Sequence, residues 1–327
     1  MIRIGFLSIV VMTLISCEPE EIPADIERII NYTQIDIGKD YCYQKYYDIE
    51  NDVVVGENLI TDWDLAFHNT QNAIMLNSSK QMRAIFVEDT VGLNDLASVF
   101  QSSFLEIGYD DPSGSLESLA LNNGQDELCQ GYFVLDKGWH CSDDQQLGYV
   151  ILNIVDYNEN IYAIEIFYEA GGLNETIEIL KTTNDDYTYF SLSNNETISI
   201  ADFDWDLCFS RYTEFDVPNP ANSSQMGVYL LVGVLQNSHV AVAIDNNNSF
   251  SDISIDLIDN YTFHSDRNSI GWDWKEYDSV NDLYTIAIDA PVYVIKTSDN
   301  DYYKLLFLDY YNDNGEKGAP AFQIEQL

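Results

Sequence analysis

Positive charge is scarce in this chain. Its 327 residues carry 14 Lys+Arg against 55 Asp+Glu, a formal net charge of −41. A surface this anionic repels phosphate backbones and excludes a nucleic-acid binder, because such proteins neutralise phosphates with Lys and Arg. Proline and glycine are few, at 7 and 17, which removes collagen-like and low-complexity architectures. Four histidines and no Cys-x-x-Cys pair leave little for a structural zinc site. No Gly-x-Ser-x-Gly elbow, His-Glu-x-x-His or phosphate-loop pattern occurs, and no carboxylate pair stands out for glycoside hydrolysis. No enzymatic activity is expected. Aromatics, by contrast, are abundant: 23 Tyr, 15 Phe and 5 Trp, within 46% hydrophobic content, enough to fill a substantial core. The length suits one large domain or two ordinary ones.

The N-terminus reads as an address. Arg3 precedes an apolar run from residue 4 to residue 15, followed by Ser16 and Cys17. This is a signal-peptide pattern, too short for the roughly 20 apolar residues that span a bilayer. Its end, Leu14-Ile15-Ser16-Cys17, resembles a bacterial lipobox, which implies cleavage before Cys17 and lipid attachment there. No later stretch approaches spanning length. Glu18, Glu20 and Glu21 open an acidic segment, residues 18–40, read as a tether with one short helix over residues 25–32. That start resembles the acidic tether that directs Bacteroidetes lipoproteins to the cell surface.

Four cysteines remain beyond Cys17: Cys42, Cys129, Cys141 and Cys208. An even count in an exported chain permits disulfides. Cys129–Cys141 is the best local pairing, with the connectivity left open.

The body of the chain repeats at an offset of about 143 residues. Tyr46-Tyr47-Asp48-Ile49 answers Tyr189-Phe190-Ser191-Leu192, and Trp63-Asp64-Leu65-Ala66-Phe67 answers Trp205-Asp206-Leu207-Cys208-Phe209. Asn77-Ser78-Ser79 answers Asn222-Ser223-Ser224, and Tyr149-Val150-Ile151 answers Tyr293-Val294-Ile295. Two homologous units in tandem follow, at residues 41–182 and 183–327. Within them the pattern is strand-like. Trp205, Leu207 and Phe209 alternate with Asp204, Asp206 and Cys208, an apolar and a polar face at period two. Residues 228–234 and 239–244 read as a strand pair around Gln236-Asn237-Ser238. Asn314-Gly315 signals a type I′ hairpin, and residues 156–160 a hairpin turn with no EF-hand glycine. Helices are expected only over 93–102 and 252–258. The fold class is all-β, antiparallel.

The Tyr-Tyr/Phe opening before a Trp-Asp-Leu-x-Phe strand carries a resemblance, together with Gly271-Trp272-Asp273-Trp274-Lys275, Tyr284, Tyr293-Val294-Ile295-Lys296 and Tyr303-Lys304-Leu305. These residues resemble the HmuY-like haem-binding lipoproteins of Bacteroidetes, over the whole second unit and more weakly over the first. The resemblance implies an all-β, non-catalytic protein on the outer membrane. It would capture haem or a related porphyrin and pass it to a TonB-dependent receptor.

Haem iron needs an axial donor such as His, Met, Cys or Tyr in a shielding cleft. His239 and His264 are the candidate ligands, 25 residues apart on loops of the second unit, with Met226 as a substitute and Tyr229, Tyr261 and Phe263 as walls. The competing reading makes both surface-loop histidines. His68 continues the polar face of its strand, with Met75 and Met82 nearby, and is expected to face solvent. Trp63 and Trp205 are expected core anchors. Acidic loops such as 245–252 could bind Ca²⁺ loosely, without a specific site. Two further readings stand beside haem capture: a surface adhesion or structural β module that has lost haem binding, and a glycan-binding accessory protein.

Overall fold

In the computed structural model the described residues are 32–327, apart from 91, 92, 94, 103–106, 144, 169–175, 184, 185, 201–203, 220 and 221. Cys17, the signal segment, residues 18–31 of the acidic tether and nearly all of its expected helix lie outside them; residues 33–37, read as tether, instead join the fold, with Thr33 and Gln34 pairing to Phe322 and Ala321 and Ile35 and Ile37 buried in the core. The chain forms antiparallel strands throughout. The first half contributes β1 (Thr33–Gln34), β2 (Tyr43–Asp48), β3 (Val53–Leu59), β4 (Leu65–His68), β5 (Ile74–Leu76), β6 (Arg83–Val87), β7 (Gly131–Asp136), β8 (Tyr149–Tyr157) and β9 (Ile161–Tyr168). The second contributes β10 (Thr176–Leu180), β11 (Tyr187–Ser191), β12 (Glu196–Ile198), β13 (Leu207–Asn219), β14 (Asn222–Gln236) and β15 (Ala241–Asp245). It ends with β16 (Lys275–Asp278), β17 (Leu283–Ile286), β18 (Val292–Lys296), β19 (Tyr302–Tyr311) and β20 (Lys317–Gln326). Helix α1 (Leu96–Ser102) falls where a helix was expected, whereas the second expected helix is two 3-10 turns, Phe250–Asp252 and Ile255–Asn260. No helix among the described residues is long and apolar enough to cross a membrane.

The sheets show how the repeat is used. Two are five-stranded, in the orders β10-β9-β8-β7-β6 and β1-β20-β19-β18-β15, and two are four-stranded, β12-β11-β4-β5 and β14-β13-β2-β3. A separate hairpin joins β16 to β17. Both four-stranded sheets pair strands from the two sides of residue 182, β4 and β5 with β11 and β12, and β2 and β3 with β13 and β14, whereas β6 to β10 all lie before that residue. The boundary at residue 182 therefore does not separate two folding units: the copies are interlaced.

Specific contacts repeat with the copies exchanged. Asp64 N–H donates to Phe190 O at 2.9 Å, and Asp206 N–H donates to Tyr47 O at 2.9 Å. The Asp64 carboxylate accepts from Leu192 N–H at 2.7 Å, while the Asp206 carboxylate accepts from Ile49 N–H at 2.8 Å. Trp63 packs on Tyr189 and Trp205 on Tyr46, at ring separations of 5.1 and 5.2 Å. Phe67 meets Phe190 edge-on at 6.3 Å, as Phe209 meets Tyr47 at 6.2 Å. Such aromatic pairs contribute about 0.5–1.5 kcal/mol each beyond their burial. One core holds Tyr47, Leu207, Phe209, Tyr293, Phe307 and Phe322; the other holds Leu65, Phe67, Phe133, Leu152, Tyr162 and Phe190. Trp63 is buried in a smaller cluster beside these cores, while Trp205 is only partly buried, against Tyr46.

Two repeat matches shift. Asn77 Nδ2 donates to Trp63 O at 2.9 Å, and its counterpart is Asn237, whose Nδ2 donates to Trp205 O at 2.8 Å. The spacing differs because β13 and β14 have 13 and 15 residues where β4 and β5 have 4 and 3. By sheet order, β8 corresponds to β19 rather than to β18, so the Tyr149 and Tyr293 segments differ by one strand.

Other expectations are corrected. The disulfide joins Cys42 to Cys141, with Cα atoms 5.2 Å apart, and Cys129 and Cys208 are free. Strand β7 lies between Cys129 and Cys141, and its six residues span about 20 Å at about 3.3 Å each. Trp139 N–H, bonded to Lys80 O at 2.9 Å, ties the segment beside Cys141 to the turn Ser78–Lys80. Cys208 is buried among Tyr46, Tyr212 and Leu235, not on a solvent face. His68 is buried too, because β4 is an inner strand. Its ring packs 4.9 Å from Tyr187, its Nδ1 accepts from Thr70 N–H at 3.2 Å, and burial lowers its pKa. β14 and β15 do not pair; they belong to different sheets. The β19–β20 turn is not type I′. Gly315 alone of the Asn-Gly pair has positive φ, 75°, in a three-residue loop closed by Asn312 N–H to Glu316 O at 2.9 Å. The 156–160 segment does form the β8–β9 turn, with Asn158 N–H on Ile161 O at 3.0 Å.

Candidate functional site

A cavity of about 470 Å³ opens between β15 and the segment running from Leu257 to His264. Ala243, Ile244 and Asp245 form one wall, and Leu257, Tyr261 and His264 the other. Two main-chain bonds fix the far wall: Val242 N–H to His264 O, and His264 N–H to Val242 O, both 2.9 Å. Gln236 Nε2 also holds His264 O at 3.1 Å. The imidazole of His264 is exposed and makes no hydrogen bond among the described residues.

Asp245 organises its wall of the cavity. Its carboxylate accepts from the N–H groups of Asn247 and Asn248 at 2.7 and 2.9 Å, from Asn248 Nδ2 at 2.8 Å and from the Tyr261 hydroxyl at 2.5 Å. Burial opposes its charge, but these donors outweigh burial and hold its pKa down at about 2. Burial, and then the bond to Asp245, pushes the Tyr261 hydroxyl well up. The donors occupying Asp245 leave no open carboxylate for a cation. No group of three or more His, Cys, Asp or Glu among the described residues is arranged for a metal ion, so the Ca²⁺ expectation is not supported.

Of the three expected ligands, only His264 lines the cavity. His239 Nε2 lies 3.2 Å from Asp206 Oδ1, and that bond raises its pKa against partial burial, helped by Asp204 and Asp186. The repeat explains this pairing. Asp64, the counterpart of Asp206, is paired with Lys80 three residues after Asn77; His239 stands two residues after Asn237 and takes the same role. Met226 faces Pro218 near the far end of the β13–β14 hairpin, 57% exposed. Ten residues at about 3.3 Å separate it from Gln236, on the order of 30 Å along the strand. Tyr229 lies on that same hairpin, opposite Glu214. Tyr261 and Phe263 are neighbours at 6.4 Å, and Tyr261 lines the cavity.

The matching place before residue 182 is packed differently among the described residues. The Val242–His264 bridge is matched by an Ala84–Gly108 bridge, so Gly108 stands where His264 does. A Cβ on Gly108 would meet Ala120 at 3.3 Å. Buried Asp110 clamps that neighbour by accepting from Ala120 N–H at 2.9 Å and Leu76 N–H at 2.6 Å. Phe100 and Leu96 of α1 cover the sheet alongside, against Ile85, Val134 and Ile151.

Sequence reasoning missed Asp245 and Asp206 as organisers. The Asp206 signal was present in the repeated Trp-Asp-Leu strand, since its counterpart Asp64 already had a cation, Lys80, at short range.

Residues 183–324 match the family model "HmuY protein". No curated protein matches the chain. Among solved structures it is similar to apo PinO from Porphyromonas gingivitis, at 8% identity over 91% of this chain and 96% of that one, with a TM-score of 0.33. It is also similar to the Tannerella forsythia apo HmuY analog, at 11% identity over 90% and 94%, with a TM-score of 0.34. The likeness to the HmuY family is thus carried by residues 183–324, the second part of the chain.

Proposed function

We propose that the chain binds haem or a related porphyrin as cargo, without catalysis, in the cavity beside His264. The HmuY-like family is a haem-binding, non-enzymatic one, which supports the class of ligand. The observation carrying the site is His264 itself, an unengaged imidazole on a cavity wall. Its nitrogen is a standard axial donor for haem iron, and Tyr261, Leu257 and Ile244 would flank the ring. Localisation belongs to the same reading: Cys17 carries the lipid, the outer membrane holds the protein at the surface, and a TonB-dependent receptor takes the cargo. Palmitate labelling that survives in a Cys17→Ser variant would sink the anchor.

A haemin titration of the purified chain tests the ligand. A saturable Soret shift that His264→Ala abolishes and His239→Ala preserves is the expected result. An unchanged shift in His264→Ala removes the site. One observation favours a second reading, a surface adhesion or structural module that no longer binds haem: His239 and Met226 do not converge on His264, and Asp245, Asn247, Asn248 and Asn260 make the lining polar. Featureless haemin binding by the unmodified chain supports that reading.

A further inference from the structure

Of the three arginines among the described residues, two are engaged. Arg83 pairs with Asp136 at 2.8 Å, and Arg211 donates to Ser79 O at 2.7 Å and to Trp139 O at 3.3 Å. The Arg267 side chain makes no hydrogen bond or ion pair among the described residues, in a chain with 55 Asp+Glu. Its place is nevertheless fixed. Arg267 N–H donates to Ser113 O at 2.8 Å, and Arg267 O accepts from Gln236 N–H at 2.7 Å. The stem lies over Gly114, where a Cβ would come within 2.5 Å of Arg267 Cδ. A half-buried guanidinium held in this way keeps its N–H donors for an acceptor from outside the fold.

The groups around it are donors as well. Tyr46 and Tyr189, which answer each other in the repeat, pack on Trp205 and Trp63 at 5.2 and 5.1 Å, and Tyr187 stands 6.4 Å from Tyr189. Ile200 packs against both tryptophan clusters, so the two sides of this seam adjoin. Tyr46 is only 4% exposed. No hydrogen bond among the described residues engages the hydroxyls of Tyr46, Tyr187 and Tyr189, and solvent still reaches each of them. Burial pushes all three hydroxyls up, and Arg267 opposes that rise in each, which puts one guanidinium within electrostatic reach of three phenols. The carboxylates felt in the seam are engaged elsewhere: Asp110 by the N–H groups of Leu76 and Ala120, Asp186 by the Ser238 hydroxyl at 2.5 Å, and Asp62 by Leu59 N–H at 2.8 Å.

A guanidinium offers two parallel N–H bonds that match a carboxylate or phosphate group, and a phenol hydroxyl adds a further donor to the same oxygens. Apolar walls strengthen such bonds by keeping bulk water away from them. Phenols alone would suit a neutral ligand; the cation without a counter-ion selects an anion. We infer that the seam between the two repeats binds a small oxyanion, a carboxylate or phosphate group held by Arg267 and the hydroxyls of Tyr46, Tyr187 and Tyr189, separately from the cavity beside His264. The ligand is small because a chain at −41 repels extended polyanions.

Isothermal titration of the purified chain with benzoate and, separately, with inorganic phosphate, at fixed ionic strength, tests this. One saturable site for at least one probe is the expected result, and the probe that binds tells a carboxylate ligand from a phosphate one. Arg267→Gln weakens that binding by about tenfold or more. Arg267→Lys keeps the charge without the planar fork and falls between the two chains. Tyr189→Phe removes one oxygen and keeps the ring, so the packing survives while binding weakens by about fivefold. Unchanged melting temperatures confirm that the variants are folded. His264→Ala binds the anion as the unmodified chain does, which keeps this site apart from the haem reading. Failure of both probes to bind overturns the site. Binding that Arg267→Gln or Tyr189→Phe leaves unchanged, or that His264→Ala abolishes, overturns it as well.

Discussion

The two interlaced repeats of the sequence pattern share a frame and differ at its margins. Asp64 and Asp206, Trp63 and Trp205, and Asn77 and Asn237 make matching contacts in each: the Asp residues with the main chain of the opposite repeat, the Trp residues with a tyrosine ring there, and the Asn residues with the Trp carbonyl of their own. Three positions depart. A buried lysine, Lys80, becomes a partly exposed histidine, His239; Gly108, pressed on Ala120, becomes the cavity-lining His264; and a short hairpin becomes a long one. The difference teaches where change is tolerated. Residues that satisfy buried main-chain groups are duplicated intact, because leaving such a group unpaired costs about 1–3 kcal/mol. Residues at the rim of the frame are free to acquire ligand or partner chemistry.

The sharpest way to break the comparison is to remove a cation from each copy. Lys80 and Asp64 are both almost wholly buried, with side chains 1% and 3% exposed. Lys80→Met leaves the Asp64 carboxylate without its counter-ion, and about 3–5 kcal/mol of stability is lost. His239→Gln, at a pair reached by solvent, costs less than about 1 kcal/mol. Urea unfolding of both variants checks this, and equal losses would refute the distinction.

The disulfide has no counterpart in the second copy. Cys42 and Cys141 close a loop with a sequence separation of 99. Replacing both with serine costs about 2–4 kcal/mol, mainly through the freed unfolded chain. Cys129→Ser, at a free, half-buried thiol packed against the core, costs less, about 1 kcal/mol. Thermal melts of the two variants, with and without reductant, distinguish them.

Exchanging Gly108 and His264 sharpens the comparison next. Gly108→Val drives a side chain into Ala120, which Asp110 holds in place, and destabilises by about 1–3 kcal/mol. His264→Gly loses the haemin Soret shift while changing stability by about 1 kcal/mol or less, the usual cost of glycine against other residues.

Much of this was legible in the sequence, and the repeat shows why. Alternation at Leu207 and Phe209 marked a strand, and duplicated Trp-Asp-Leu segments marked the frame, because both are local patterns. The interlacing was not legible, since pairing Leu65 with Phe190 rather than with a strand of its own half is a long-range choice. Cys42–Cys141 was hidden behind the length of β7, and the burial of His68 behind the position of β4 inside its sheet. His239 looked like a ligand because its partner Asp206 lies 33 residues away in sequence. The site was legible only in part: His264 was chosen, but Asp245 looked like one acid among many.

The smallest effect separates the copies by pH. The Asp206 bond raises the His239 pKa in the folded protein above its ordinary value of about 6.5. The folded state then binds more protons than the unfolded state between those two values, so stability falls as pH rises across that window. The pair's contribution is fully present below about pH 6.5 and is lost as pH rises through the folded-state pKa. Solvent reaches the ring, so the amplitude stays below about 1 kcal/mol. Asp204 and Asp186 contribute in the same direction and fade with salt. His239→Gln removes this slope. His239→Lys keeps the positive charge through the same range, as Lys is ordinarily charged up to about pH 10, and gives the second copy the flat profile expected for a lysine–aspartate pair. Melting temperatures across neutral pH for the three chains decide the matter, and a slope that survives in His239→Gln assigns the titration to another group.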